Sequence, residues 1–201
     1  MNTRINTLFP IIFVWLWSTG FIGAKYGLPY IEPYFLLVLR FACAIGLLFI
    51  LARVFKERHL SRREQKGQIF VGVLLHGVYL SGVFFAIKTG ISAGIVAIIV
   101  GLQPLLTALF SFIWLDKKLK SKQTIGIITG FVGVVLVIVG TNALDNSSIN
   151  FMGLIACIIG LFGISVGTII QKKIGQNVPL LSGATYQYIG AIVIVSLLSM
   201  N

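Results

Sequence analysis

The sequence predicts an all-α, polytopic transmembrane helix bundle, and three observations predict it. Hydrophobic residues make up 57% of the 201-residue chain and charged residues 10%, where a soluble domain carries about 25% charged residues. The apolar residues fall into seven continuous runs, each near the roughly 20 residues that cross a hydrocarbon core about 30 Å thick. The charges collect between the runs, and their bias alternates from loop to loop. Runs this long point to helices; barrel strands are about ten residues of alternating polarity.

In chain order the expected spans are Leu8–Ala24, Tyr34–Val54, Gly67–Ile87, Ser92–Leu115, Gln123–Thr141, Phe151–Gln171 and Leu180–Met200. The first follows Arg4, as a signal peptide would, but it is too long for a signal-peptide core and more spans follow it, so it is a retained helix. The second loop, Arg53 to Lys66, is the longest and has room for a short helical turn. The fifth, Asn142 to Asn150, holds Asp145 and no cation.

The net charge is +11. The N-terminus and the second, fourth and sixth loops hold Arg4, then six cations from Arg53 to Lys66, four from Lys117 to Lys122, and Lys172 with Lys173. That makes 13 on one side, against Lys25 and Lys88 on the other. Such a bias predicts a cytoplasmic N-terminus, with the basic loops on the anionic inner leaflet. It also removes the nucleic-acid reading that the net charge alone would invite. Lys25 and Lys88, at the outer helix ends, read as interfacial anchors in preference to site residues. Cys43 and Cys157 fall within apolar runs without metal-ligand spacing, which reads as small buried hydrophobes. No cofactor-binding motif is visible.

The chain resembles itself at a shift of 147 residues. Ser18-Thr19-Gly20 falls on Ser165-Val166-Gly167, Lys25 on Lys172, Arg40-Phe41 on Gln187-Tyr188, and Ala44 on Ala191. An odd number of spans, five, separates the equivalents, so the second copy runs the opposite way through the membrane. Inverted repeats of this kind are a mark of secondary transporters. The reading divides the chain into a first five-helix repeat over 1–141 and an incomplete second repeat over 142–201, seven helices of an expected ten. A C-terminally truncated chain is the corresponding expectation.

The stretch Trp15-Leu-Trp-Ser-Thr-Gly-Phe-Ile-Gly-Ala-Lys25 resembles the first helix of EamA-type members of the drug/metabolite transporter superfamily. Glu32-Pro33 with Leu39-Arg40-Phe41, and Phe84 through Pro104 running on to Leu115-Asp116, resemble the same family. Asp116 stands where that family commonly has Glu. The resemblance implies a ten-helix carrier of small metabolites, amino acids or drugs in the bacterial inner membrane, often an exporter driven by an ion gradient, and not an enzyme.

Polar groups at membrane depth are costly and mark function by default. Arg40 would attract a substrate carboxylate or phosphate, or else pair with Glu32 or helix carbonyls while snorkelling outward. His76 is the one near-central group that titrates near neutral pH, which suits a proton relay; a neutral, hydrogen-bonded histidine is the alternative. Tyr79 lies one turn on and can share a cavity with it. Gln103-Pro104 reads as a kink offering freed carbonyls and an amide to a central site, or as a structural kink alone. Ser18, Thr19 and Gly20, beside Trp15 and Trp17, read as a small polar break that lines the path or lets helices pack closely. Tyr186 and Gln187 are the repeat partners of the Arg40 region. The candidate substrate-binding set is therefore Ser18, Thr19, Arg40, His76, Tyr79, Gln103, Pro104 and Gln187, with no catalytic or metal residue. The four-residue spacings Gly126/Gly130 and Gly163/Gly167 serve internal packing or a homodimer face.

Two other classes remain as rivals. An intramembrane lipid-modifying enzyme would need a carboxylate or histidine cluster, and the midplane holds no carboxylate. A non-transporting membrane partner, or an inactive remnant of a carrier, fits a chain ending at Asn201.

Overall fold

The computed structural model describes residues 3–115, 121–145 and 150–200, with side chains described over 11–114, 121–140 and 150–200. The described residues form helices and no strand: α1 Thr3–Gly27, α2 Pro33–Val54, α3 Arg62–Gly72, a π-helical turn Val73–Val78, α4 Tyr79–Lys88, α5 Ala93–Val100, α6 Gln103–Leu115, α7 Ser121–Asp145, α8 Phe151–Ile174 and α9 Leu180–Leu198. Among them, six helical stretches are long and apolar enough to cross a membrane; the second of these six joins α3 to α4 and the third joins α5 to α6. The chain is a multi-pass membrane protein. The expectations for Asp116, Lys117, Lys118 and Lys120, and for the side chains of Arg4 and Asp145, fall outside the described residues.

The helix starts follow local chemistry. Glu32 caps α2 by accepting from the Phe35 amide at 2.7 Å, with Pro33 in the first turn, where its missing N–H costs nothing. Ser61 and Glu64 form a reciprocal capping box, which starts the third span at Arg62 rather than at Gly67. The second loop is correspondingly shorter than expected and carries no separate helical turn. Ser92 and Asn150 cap α5 and α8 through the amides of Ile95 and Gly153. α7 continues to Asp145, through residues expected in the fifth loop.

Two expected irregularities take different forms. α1 runs unbroken through Ser18, Thr19 and Gly20, because both hydroxyls bond back to carbonyls of their own helix, Val14 at 2.8 Å and Leu16 at 2.6 Å. The fourth span turns at Gly101-Leu102, and Pro104 sits in the first turn of α6 instead of inside a continuous helix.

Glycines set the closest helix contacts. α9 packs against α2, α3 and the π turn, and α8 packs against α4 and the π turn. A Cβ on Gly72 would run into the Gln187 backbone, one on Gly190 into Ile69, and one on Gly82 into Ala156. Gly163 and Gly167 face Val78 and Leu75, so that spacing serves packing inside the bundle. Gly130 faces Leu105, while Gly126 faces open space. Cys157 is fully buried and Cys43 exposed, both as free thiols.

Candidate functional site

A cavity of about 1090 Å³ lies between α1, α2, the π turn, α4, α5, α6, α8 and α9. Its lining begins at Lys25, Tyr26, Ala93 and Gly94, beside the 28–32 and 89–92 turns, and reaches the middle of the third and seventh expected spans at His76 and Tyr188. Among the described residues of the basic end, none from 53–66 or 172–180 lines it. The cavity therefore extends from one face of the bundle to its middle.

Of the residues expected at the site, Ser18, Arg40, His76, Tyr79, Gln103 and Pro104 line this cavity. Thr19 does not. Gln187 does not line it either, but holds a residue that does. Its Nε2 donates to Gln68 Oε1 at 2.6 Å, and its Oε1 lies 3.3 Å from His76 Nε2. With that carbonyl as acceptor, the imidazole donates from Nε2. The ring stacks on Tyr188, centroids 4.4 Å apart. His76 sits in the π turn, which adds a residue to one helical turn and so re-aims the side chains that follow. Such turns are frequent at functional sites.

Gln103 donates from Nε2 to Thr168 Oγ1 at 3.2 Å, which ties the start of α6 to α8. Thr168 in turn donates to the Ile164 carbonyl at 2.7 Å. Tyr79 is 5% exposed, and its ring stacks on Trp17 at 6.2 Å between centroids. Arg40 lies within electrostatic reach of both His76 and Tyr79. The expected pairing with Glu32 is absent, because Glu32 is spent on the cap of α2. Among the described residues the one ion pair is Arg58 with Glu64, far from the cavity.

Several lining residues escaped the sequence reading. Lys25, expected as an anchor, faces both this cavity and a smaller one of about 390 Å³ at its mouth, where Lys88 joins it. Tyr188 lines the cavity instead of its neighbour Tyr186. Thr168 had no motif to mark it.

The opposite end of the bundle is tied by loop residues. α9 begins at Pro179, whose side chain caps nothing. Glu57 supplies the cap from the second loop, accepting from the amides of Leu181 at 3.1 Å and Ser182 at 2.7 Å. Burial pushes the Glu57 carboxyl up, but the Ser182 amide and hydroxyl and the Leu181 amide outweigh it, so it lies below its ordinary 4.5. Arg58 donates to the Asn177 carbonyl at 2.8 Å and to Glu64. Two loops 119 residues apart in sequence are thus joined across the basic face.

Comparison with known proteins decides the family. Residues 5–139 match the EamA-like transporter family. The chain belongs to that family. It is 29% identical to Protein PecM of Dickeya dadantii over 162 residues, 80% of this chain and 51% of that protein. It is 26% identical to the uncharacterized transporter YvbV of Bacillus subtilis over 181 residues, 88% of this chain and 56% of the relative. A probable amino-acid metabolite efflux pump of Salmonella typhimurium is 27% identical over 179 residues, 88% of this chain and 56% of the pump. The chain thus spans about half the length of these relatives. No solved structure matches it significantly.

Proposed function

We propose that this chain works as a secondary carrier of small molecules by alternating access. The observation that carries the reading is the one-ended cavity: a chamber lined from the 25–26 and 93–94 end to mid-span, and by no residue of 53–66 or 172–180, where Glu57 and Arg58 instead tie the second loop to α9 and to the turn before it. A channel would need a path to both faces at once. A chamber open to one face is what one end state of a carrier requires. The names of the relatives, transporters and an efflux pump among them, support the same class.

In this reading the substrate sits at mid-depth against Arg40, His76, Tyr79 and Gln103, with Ser18 and Pro104 shaping the wall. Gln187 positions His76. The basic face is cytoplasmic, by its cation excess, in a bacterial inner membrane. The repeats 1–141 and 142–201 are the bodies that rock, and they meet where α9 packs on α2, α3 and the π turn and α8 packs on α4; α2 and α9 bear the repeat-related Arg40 and Gln187. Release of Glu57 from α9 would open the basic face. His76 is the group through which a proton would couple, since its protonation adds a second positive charge beside Arg40.

The test uses Thr168→Cys as the sole cysteine, with Cys43 and Cys157 replaced by alanine, in sided vesicles. A membrane-impermeant maleimide added from either side should label it, and conditions that speed labelling from one side should slow it from the other. Labelling from one side under every condition overturns the carrier reading. Rates that rise from both sides together would indicate a channel.

A further inference from the structure

We infer that the cavity selects an organic monoanion, a carboxylate on a flat apolar body, over cations and zwitterions. The inference rests on reading this cavity as the substrate site.

The charges of its wall are all of one sign. Lys25 and Arg40 line it, His76 lies within electrostatic reach of Arg40, and no Asp or Glu contributes among the described residues. Arg40 is exposed rather than packed away, and the ion pair among the described residues is elsewhere, between Arg58 and Glu64. The carboxylate eight residues before it, Glu32, is committed to the Phe35 amide. A charged side chain held at membrane depth without a partner marks a place where the partner is brought in by the ligand. The planar guanidinium presents paired donors that match a carboxylate fork. Lys25 is shared between the main chamber and the small one at its mouth, which Lys88 also lines. Two ammonium groups therefore stand at the entrance and a guanidinium deeper in, a field that draws anions inward and repels cations.

The number of charges limits the ligand further. With His76 neutral, the Arg40 guanidinium balances one negative charge, and a dianion would enter apolar walls half-compensated, at a large desolvation cost. The ammonium of an amino acid would meet no carboxylate here. The body of the ligand follows from the stacked Trp17 and Tyr79 and from Phe13, Phe84 and Tyr188, which give the chamber flat aromatic walls. Aromatic faces of this kind favour a planar apolar partner in offset or edge contact.

The test is equilibrium binding to the full chain in nanodiscs, by calorimetry, of four matched probes: 3-phenylpropionate, 3-phenylpropanamide, 3-phenylpropylamine and phenylalanine. A charge-assisted hydrogen bond predicts that the carboxylate binds on the order of tenfold or more tighter than the other three, and that Arg40→Gln cuts this preference to about threefold or less. Arg40→Lys should keep part of it, and serves as the second variant if the glutamine form melts early. Equal binding of amide and carboxylate, tighter binding of the amine or of phenylalanine, an unchanged preference in Arg40→Gln, or no binding of any probe each overturns the inference. The carrier reading is tested by labelling without any ligand, so the two fail separately.

Discussion

Replacing Glu57 with alanine removes the cap of α9 and, on this account, unlatches the basic face. The carboxylate accepts from two first-turn amides, Leu181 at 3.1 Å and Ser182 at 2.7 Å, and α9 has no cap of its own. Loss of a helix cap costs about 0.5–2 kcal/mol, and loss of an anion at a helix N-terminus about 0.3–1 kcal/mol. A combined cost near 1.5 kcal/mol shifts the balance between sealed and open forms about tenfold. The assay is the labelling rate of the single cysteine at position 168 from the basic side, which should rise about tenfold on that arithmetic, while labelling from the other side falls. Acid should act in the same direction. The folded carboxyl lies below 4.5, so its contribution is complete above that value and is lost as pH falls through the depressed folded value. Glu57→Gln keeps one acceptor oxygen and should fall between the two. A lower melting temperature in Glu57→Ala with unchanged labelling would refute the reasoning, because the carboxylate would then hold up α9 without gating anything.

Other perturbations probe the frame and the site. Gly72→Ala places a Cβ against the Gln187 backbone and should cost about 1–3 kcal/mol of stability in a detergent melt; Gly46→Ala, with nothing within 4 Å, should change little. Gln68 is fully buried and its Nε2 has no partner, so Gln68→Leu orphans Gln187 as well and should destabilise by about 1–3 kcal/mol. Adding Gln187→Leu should recover part of that loss, and a cycle that is simply additive would deny the pair its coupling. His76→Ala should abolish proton movement coupled to substrate uptake in vesicles while equilibrium binding persists; unchanged proton-driven uptake would remove His76 from the coupling role.

Much of the frame was written in local patterns. The span order follows from apolar runs, and the loop bias follows from a count of cations. The start of the third span was misplaced because Ser61 and Glu64 act through a capping box, which overrides the polar character of Arg62 to Lys66. The fourth span was read as kinked at Pro104, but the first turn of a helix tolerates proline and Gly101 takes the bend. Within the site, Arg40 and His76 stood out because charge and imidazole are rare in apolar runs. The π turn that carries His76 has no signature in the local sequence; it packs against α8 and α9, partners far off in the chain. Lys25 looked like an anchor because a helix-end lysine usually snorkels to water, and only the tertiary fold turns it toward a chamber. Glu57 lay in a loop, where charge is ordinary. Its role depends on a contact with Ser182, 125 residues on.

The claim at the centre of this account is that the two faces open in turn. Double electron–electron resonance on the chain in nanodiscs tests it, with one spin-label pair at His59 and Gln176 on the basic face and another at Tyr30 and Lys88 at the cavity mouth. The account predicts distance distributions that move in opposition: Glu57→Ala lengthens the first pair and shortens the second. Distances that stay fixed in both pairs, or that lengthen together, would contradict it.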